Sequence, residues 1–174
     1  ISGGVDLVTV SGDIDTNNIS KQVFLKSVSG DLVIKESSGQ ARLSSVSGDI
    51  EAKLDSQEVE ANTVSGDVTL HLTEFTSLDA SSVNGEVWVK GAQSDDGETD
   101  INSVNGDITI NFTKSLNARI KAKTGPGGDI DNDLTVDQVE NIFPNQQKLS
   151  CNAGNGNGKV KLSTINGSIK LKGE

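Results

Sequence analysis

Asp129, Asp131, Asp133, Thr135, Asp137 and Glu140 fall at positions 1, 3, 5, 7, 9 and 12 of an EF-hand calcium loop. Oxygen donors at that spacing can wrap a hard cation. Such a loop also needs glycine at position 6 for its sharp turn, and Leu134 stands there. No helical periodicity precedes Asp129. Asp129, Asp131, Asp133, Asp137 and Glu140 are therefore calcium candidates by spacing alone, and no metal is expected. The chain has one cysteine, Cys151, and one histidine, His71. Neither a Cys/His nucleophile nor a zinc set can be assembled from them. Cys151 reads as a buried, inert thiol. The runs GPGG (125–128) and GNGNG (154–158) lack the Lys-Ser/Thr and following helix of a phosphate loop and read as plain loops. No catalytic residue and no cofactor site emerges.

Most other polar residues recur at fixed places in a repeat. TVSGDI (9–14), SVSGDL (27–32), SVSGDI (45–50), TVSGDV (63–68), SVNGEV (82–87), SVNGDI (103–108) and TINGSI (164–169) are variants of one motif. The full unit reads apolar-x-apolar-x-x-Val-(Ser/Asn)-Gly-Asp-apolar-x-apolar. Units start at 5, 23, 41, 59, 78, 99, 120 and 160, in steps of 18, 18, 18, 19, 21, 21 and 40. A near-constant step is a structural period, and a unit this short buries its apolar side only by stacking on its neighbours.

Each unit holds two short runs of alternating character, the mark of strands with one buried side. The three-residue step from Leu25 to Val28 recurs in the other copies and reads as a corner, with Val10, Val28, Val46 and Val64 pointing into the core. A propeller blade needs about 40 residues, and a sandwich has no reason to repeat one motif. The fold class is therefore all-β: a right-handed single-stranded β-solenoid (β-helix) of about 8–9 coils, 18–22 residues per coil. Residues 1–174 form one solenoid domain, with an irregular insertion or degenerate coil at 131–159 that fills the step of 40. Only LTVDQVENIF (134–143) has helical character, for one or two turns before Pro144.

Stacking gives the repeated polar residues a geometry. Asp13, Asp31, Asp49, Asp67, Glu86, Asp107 and Asp129 share one motif position and would lie about 4.8 Å apart. Such a column either recruits cations or accepts hydrogen bonds from the backbone of each residue's own bend; the second reading is preferred. Ser11, Ser29, Ser47, Ser65, Asn84, Asn105 and Asn166 form a second column that can hydrogen-bond along the axis. Trp88, between the inward Val87 and Val89, points outward and is a candidate surface contact.

Composition narrows the partners. The net charge is −10 and the chain has 15 basic residues among 174. Nucleic acid and anionic membrane surfaces want Lys/Arg clusters, as does a groove acting on acidic polysaccharide, and no such cluster shows in the sequence. No apolar run approaches transmembrane length, so no direct membrane insertion is expected in this segment. Because the chain starts at Ile1, it reads as a fragment or processed form, with any signal or anchor upstream.

The (S/T)V(S/N)GD(I/V) copies, with TGPGGDIDNDL (124–134) and GNGKVKLSTINGSIKL (156–171), resemble a bacterial adhesin family of β-strand-repeat proteins of unknown function. The resemblance spans Val5 to Lys172. It implies a β-solenoid, an extracytoplasmic place in the periplasm or at the cell surface, and no catalytic residues. The expected function is a non-enzymatic, adhesin-like envelope or surface module whose partner is a protein or glycan at the cell surface. A scaffold that self-associates by end-to-end stacking is the alternative, and a polysaccharide-active β-helix enzyme ranks third.

Overall fold

The computed structural model describes residues 3–142 and 144–173. Its strands are β1 (Val5–Ser11), β2 (Ile14–Asn17), β3 (Val23–Ser29), β4 (Leu32–Ser47), β5 (Ile50–Ser65), β6 (Val68–Asn84), β7 (Val87–Asn105), β8 (Ile108–Phe112), β9 (Ala118–Thr124), β10 (Ile130–Asn132), β11 (Glu140–Ile142), β12 (Gln146–Ala153), β13 (Gly158–Asn166) and β14 (Ile169–Gly173). There is no helix among the described residues; 134–142 forms a loop and the short strand β11. Phe143, which closes the expected helix, lies outside the described residues.

The repeat period becomes a parallel stack. Val5 pairs with Val23, Val23 with Ala41, Ala41 with Val59, Val59 with Leu78, and Leu78 with Thr99. The second run stacks in the same way: Ile14, Leu32, Ile50, Val68, Val87 and Ile108 follow one another in register. β4 to β7 each bend across two sides of the coil, with register shifts such as that between Leu54 and Glu58. One apolar cluster, from Ile14 and Leu25 through Phe75 and Phe112 to Leu171, fills the interior.

The corner lies elsewhere than the motif suggests. Alternation does not slip at Leu25–Val28: Val23, Leu25 and Ser27 all face inward and are buried. The motif valines therefore face out. Val28, Val46, Val64 and Val83 are 42%, 42%, 44% and 39% exposed, and Val10 and Ile165 more so. With the half-buried Val104 they do form a column of seven, but on the surface. The residue that takes the last inward place is a small Ser or Thr. In four layers its hydroxyl reaches a corner carbonyl of the neighbouring layer, as from Thr63 to Gly48 at 3.3 Å and from Thr164 to Gly106 at 3.0 Å, whereas the Ser27 and Ser45 hydroxyls are buried without a partner.

The glycine that follows turns the chain, with φ of 134° at Gly30 and 147° at Gly48. The corners stack so closely that a Cβ on Gly48 would run into the carbonyl of Gly30. Both features demand glycine.

The step of 40 does not hide an extra coil. Through β7–β8 the stack follows chain order for about six turns, and β9–β10 and β13–β14 supply two further parallel layers. Residues 118–132 then leave one layer vacant, and β12 and β11 add antiparallel strands beyond β9. The chain returns to fill the vacancy: β13 lies between β7 and β9, and β14 between β8 and β10. The layer order on the main face is thus β1-β3-β4-β5-β6-β7-β13-β9-β12-β11.

Candidate functional site

The acidic column braces the stack, though not as the sequence suggests. Five of the seven carboxylates accept from the backbone of the next layer's bend rather than their own. Asp31 N–H donates to Asp13 Oδ1 (3.0 Å), Asp49 to Asp31 (2.9 Å), Asp67 to Asp49 (2.8 Å), Glu86 to Asp67 (2.7 Å) and Ser168 to Asp107 (2.7 Å). Glu86, one methylene longer, makes no such bond to Asp107 among the described residues. The neighbouring asparagines form the axial ladder: Asn105 Nδ2 donates to Asn84 Oδ1 at 2.8 Å, and Asn166 Nδ2 to Asn105 Oδ1 at 2.7 Å.

The calcium candidates are not gathered. Among the described residues, no three His, Cys, Asp or Glu side chains converge to hold a metal. Asp129 sits at a corner and accepts from Gln147 Nε2 at 3.3 Å. Asp131 lies on β10 opposite Lys170, and Glu140 on β11 opposite Lys148. Asp133 N–H extends the ladder to Leu171 O at 2.9 Å. Asn132 holds the loop instead. Its Oδ1 accepts from the N–H groups of Leu134 and Thr135, and its Nδ2 donates to the Thr135 hydroxyl and to the carbonyls of Thr135 and Asp137. An amide centres this turn where an EF-hand places its cation.

Trp88 faces outward between Thr69 and Thr109 and is half-buried. His71, from the layer before, tilts against it with ring centroids 4.9 Å apart. Cys151 is buried opposite Ile120. Desolvation pushes its thiol pKa up; the hydrogen bond from Thr135 Oγ1 pulls weakly the other way.

The outer face of the main sheet carries the feature that sequence reasoning missed. Because β13 enters between β7 and β9, Lys159 and Lys161 come to lie beside Arg119 and Lys121, and Lys123 lies beside Lys148. Arg119, Lys121, Lys123, Lys148, Lys159 and Lys161 are all exposed and alternate with buried residues, so they share one face. Six of the chain's 15 basic residues thus occupy three adjacent layers. Their backbone footprint is roughly 10 by 13 Å, from strand and residue spacings alone.

The expectation that no Lys/Arg cluster exists is therefore overturned. A signal was present: ARIKAK (118–123) and KVKL (159–162) each alternate base with apolar residue. What the sequence hides is that 158–166 stacks directly on 118–124.

The three preceding layers of that face are acidic. Glu58 and Glu60 lie on β5, Asp79 on β6, and Glu98 and Asp100 on β7, with Glu60, Asp79 and Asp100 in register. Arg42 Nε meets Glu60 Oε2 at 2.6 Å on one flank, and Lys161 Nζ meets Asp100 Oδ2 at 3.0 Å on the other. Asp79, in the middle, has its carboxyl pKa raised by desolvation first, then by Asp100 and Glu60, against a smaller lowering by Lys161.

No curated protein and no solved structure matches the chain. A protein family does, by its sequence pattern: Toastrack DUF4097 matches twice, over residues 2–77 and 56–172. The two matches overlap at 56–77, as a repetitive stack allows, and together they run from the first layer through β14. With matches over nearly its whole length, the chain belongs to the Toastrack DUF4097 family.

Proposed function

We propose that this protein is a non-enzymatic, adhesin-like module of the bacterial envelope or cell surface that presents its rigid outer faces to a protein or glycan. The observation that carries the reading is the division of labour between its polar residues. The recurring Asp and Asn side chains hold layer to layer. The outward columns of the second run, by contrast, with Trp88 tilted against His71, stand on a broad face backed by one core. A surface of this kind engages a partner by shape and charge across many layers, whereas catalysis needs a few groups converging on one reacting atom.

A glycan array, read together with product release from acidic polysaccharides, tests this. Selective retention of a few glycans without turnover is the expected result. Turnover of a polysaccharide would overturn it. Fractionation of bacterial cells checks the location: the protein belongs with the periplasmic or surface fraction, and recovery from the cytoplasm would contradict the reading.

The scaffold alternative draws on β1, which pairs on one side with β3 and leaves Leu7 and Val8 41% and 66% exposed. Fibres in light scattering would favour it.

A further inference from the structure

The two charge blocks of the main face are each unfavourable alone. Residues directly opposite across neighbouring strands repel when their charges match. That describes Lys159 with Arg119, Lys161 with Lys121, and Lys123 with Lys148 in one block. It also describes Glu60 with Asp79 and Asp79 with Asp100 in the other. Within the chain, the described ion pairs at this junction relieve only its seam, where Lys161 reaches Asp100. Interleaved charges would have avoided the strain; segregated ones need an external complement.

The blocks are also equal in breadth, three layers each, and meet between β7 and β13. Consider a second copy laid face to face and related by a two-fold axis along the strands at that seam. The rotation keeps position along each strand and reverses layer order. Asp79 then faces the second copy's Lys121, Asp100 its Lys161, and Glu98 its Lys159, each contact occurring twice. In the outward valine column beside these charges, the half-buried Val104 faces the other copy's Ile165. A patch that complements itself under a two-fold rotation is what an isologous dimer requires.

We propose that the charge-segregated outer face of β5, β6, β7, β13, β9 and β12 is a homodimer interface in which the acidic block of one copy covers the basic block of the other. Six layers at about 4.8 Å and strands of about seven residues give a face of roughly 29 by 23 Å. That is about 670 Å² per copy and about 1,300 Å² in all, within the range of stable interfaces. An extended polyanion is the poorer fit. Lying along the stack it would run from the basic layers onto Glu98 and Asp100 within one strand spacing.

The test is a charge swap read by sedimentation velocity at about 100 μM, with circular dichroism confirming the fold of every variant. Wild type should sediment as a dimer. K121E and D79K should each weaken dimerisation by at least tenfold, because each homodimer then holds two like-charge contacts. An equimolar mixture should restore dimers, since Asp79 of the first variant meets Lys121 of the second while Glu meets Lys at the other contact. The swap E98K with K159E repeats the test should either first variant misfold.

A wild type that stays monomeric overturns the proposal, and so does a dimer indifferent to all four substitutions. Weakening by the single variants without recovery in the mixtures also overturns it. A monomer that binds polyphosphate or anionic phosphatidylglycerol vesicles, and loses that binding in K121E, overturns it in favour of an anionic partner.

Discussion

Ala61 and Val64 stand three residues apart on β5, and an aspartate at each should have very different effects. Ala61 is fully buried between Leu43 and Ala80. A carboxylate there loses its hydration with no partner in reach and displaces packed neighbours in two layers; the cost is about 4 kcal/mol or more. Val64 faces solvent in the outer column and is 44% exposed, so a little over half of its surface is covered. With roughly 120 Å² for the free side chain at about 25 cal/mol per Å², the covered part contributes at most about 1.7 kcal/mol. V64D should therefore cost about 1–2 kcal/mol, the new charge remaining hydrated. For a chain of this size that is a fall in Tm of about 2–8 °C, against unfolding or a much larger fall for A61D. Scanning calorimetry of both variants, with urea melts alongside, reads the difference. If V64D proved as damaging as A61D, the outward placement of the motif valines would be wrong.

Other outcomes follow from the same geometry. Glu86 breaks the ladder in which each acid accepts from the next layer's bend, so E86D should add an acceptor for Asp107 N–H and raise stability by about 0.5–1 kcal/mol in urea melts; a loss would count against the ladder. Asp79 is held above its ordinary pKa of 3.8 by burial and by its acidic neighbours. Its stabilising contribution is therefore present in full below pH 3.8 and lost as pH rises through the raised value. Melted at a dilution that keeps the chain monomeric, D79N should accordingly be more stable than wild type at neutral pH, with the advantage vanishing below pH 3.8; an advantage that persists there would refute the cause. Since the column carboxylates already accept backbone hydrogen bonds and the loop at 132–137 is centred on Asn132, millimolar calcium should move Tm by less than about 2 °C. A chelator-reversible rise above about 5 °C would mean that the native state binds the ion.

How far the sequence could be read depends on what each residue's signal encodes. The 18-residue step between copies of SVSGDI is a direct imprint of stacking, and it located the β-solenoid and the stacking of its first layers. The inward Leu25, Leu43 and Leu70 were equally plain. The valine of the motif misled because hydrophobicity does not report direction at a corner. The inward place at the turn is taken by small residues such as Thr63 and Ser82, whose hydroxyls also bond a carbonyl, while β-branched valine suits the outer face of a strand. The acid column was legible as a column, but the partner of each carboxylate depends on the offset between layers, which no single repeat contains. Layer order at the far end was not legible at all. TINGSIKL (164–171) resembles every other copy, and nothing in its residues says that it stacks on SVNGDITI (103–110) rather than after the antiparallel strands. The basic block therefore stayed invisible, although both of its basic strands could be seen.

Both the fold of the far end and the basic block depend on that layer order, and a cross-link decides it. Ser163 on β13 lies in register with Asn102 on β7 and, on its other side, with Lys123 on β9. Adjacent parallel strands place paired Cα atoms about 4.8 Å apart, within disulfide range, whereas residues two layers apart lie near 10 Å and cannot be bridged. Cysteines introduced at 102 and 163 should form a disulfide under mild oxidation, identified by peptide mass, while cysteines at 102 and 123 should not. Ready bridging of 102 to 123, with none between 102 and 163, would show that the layers follow chain order and would remove the foundation of the basic block.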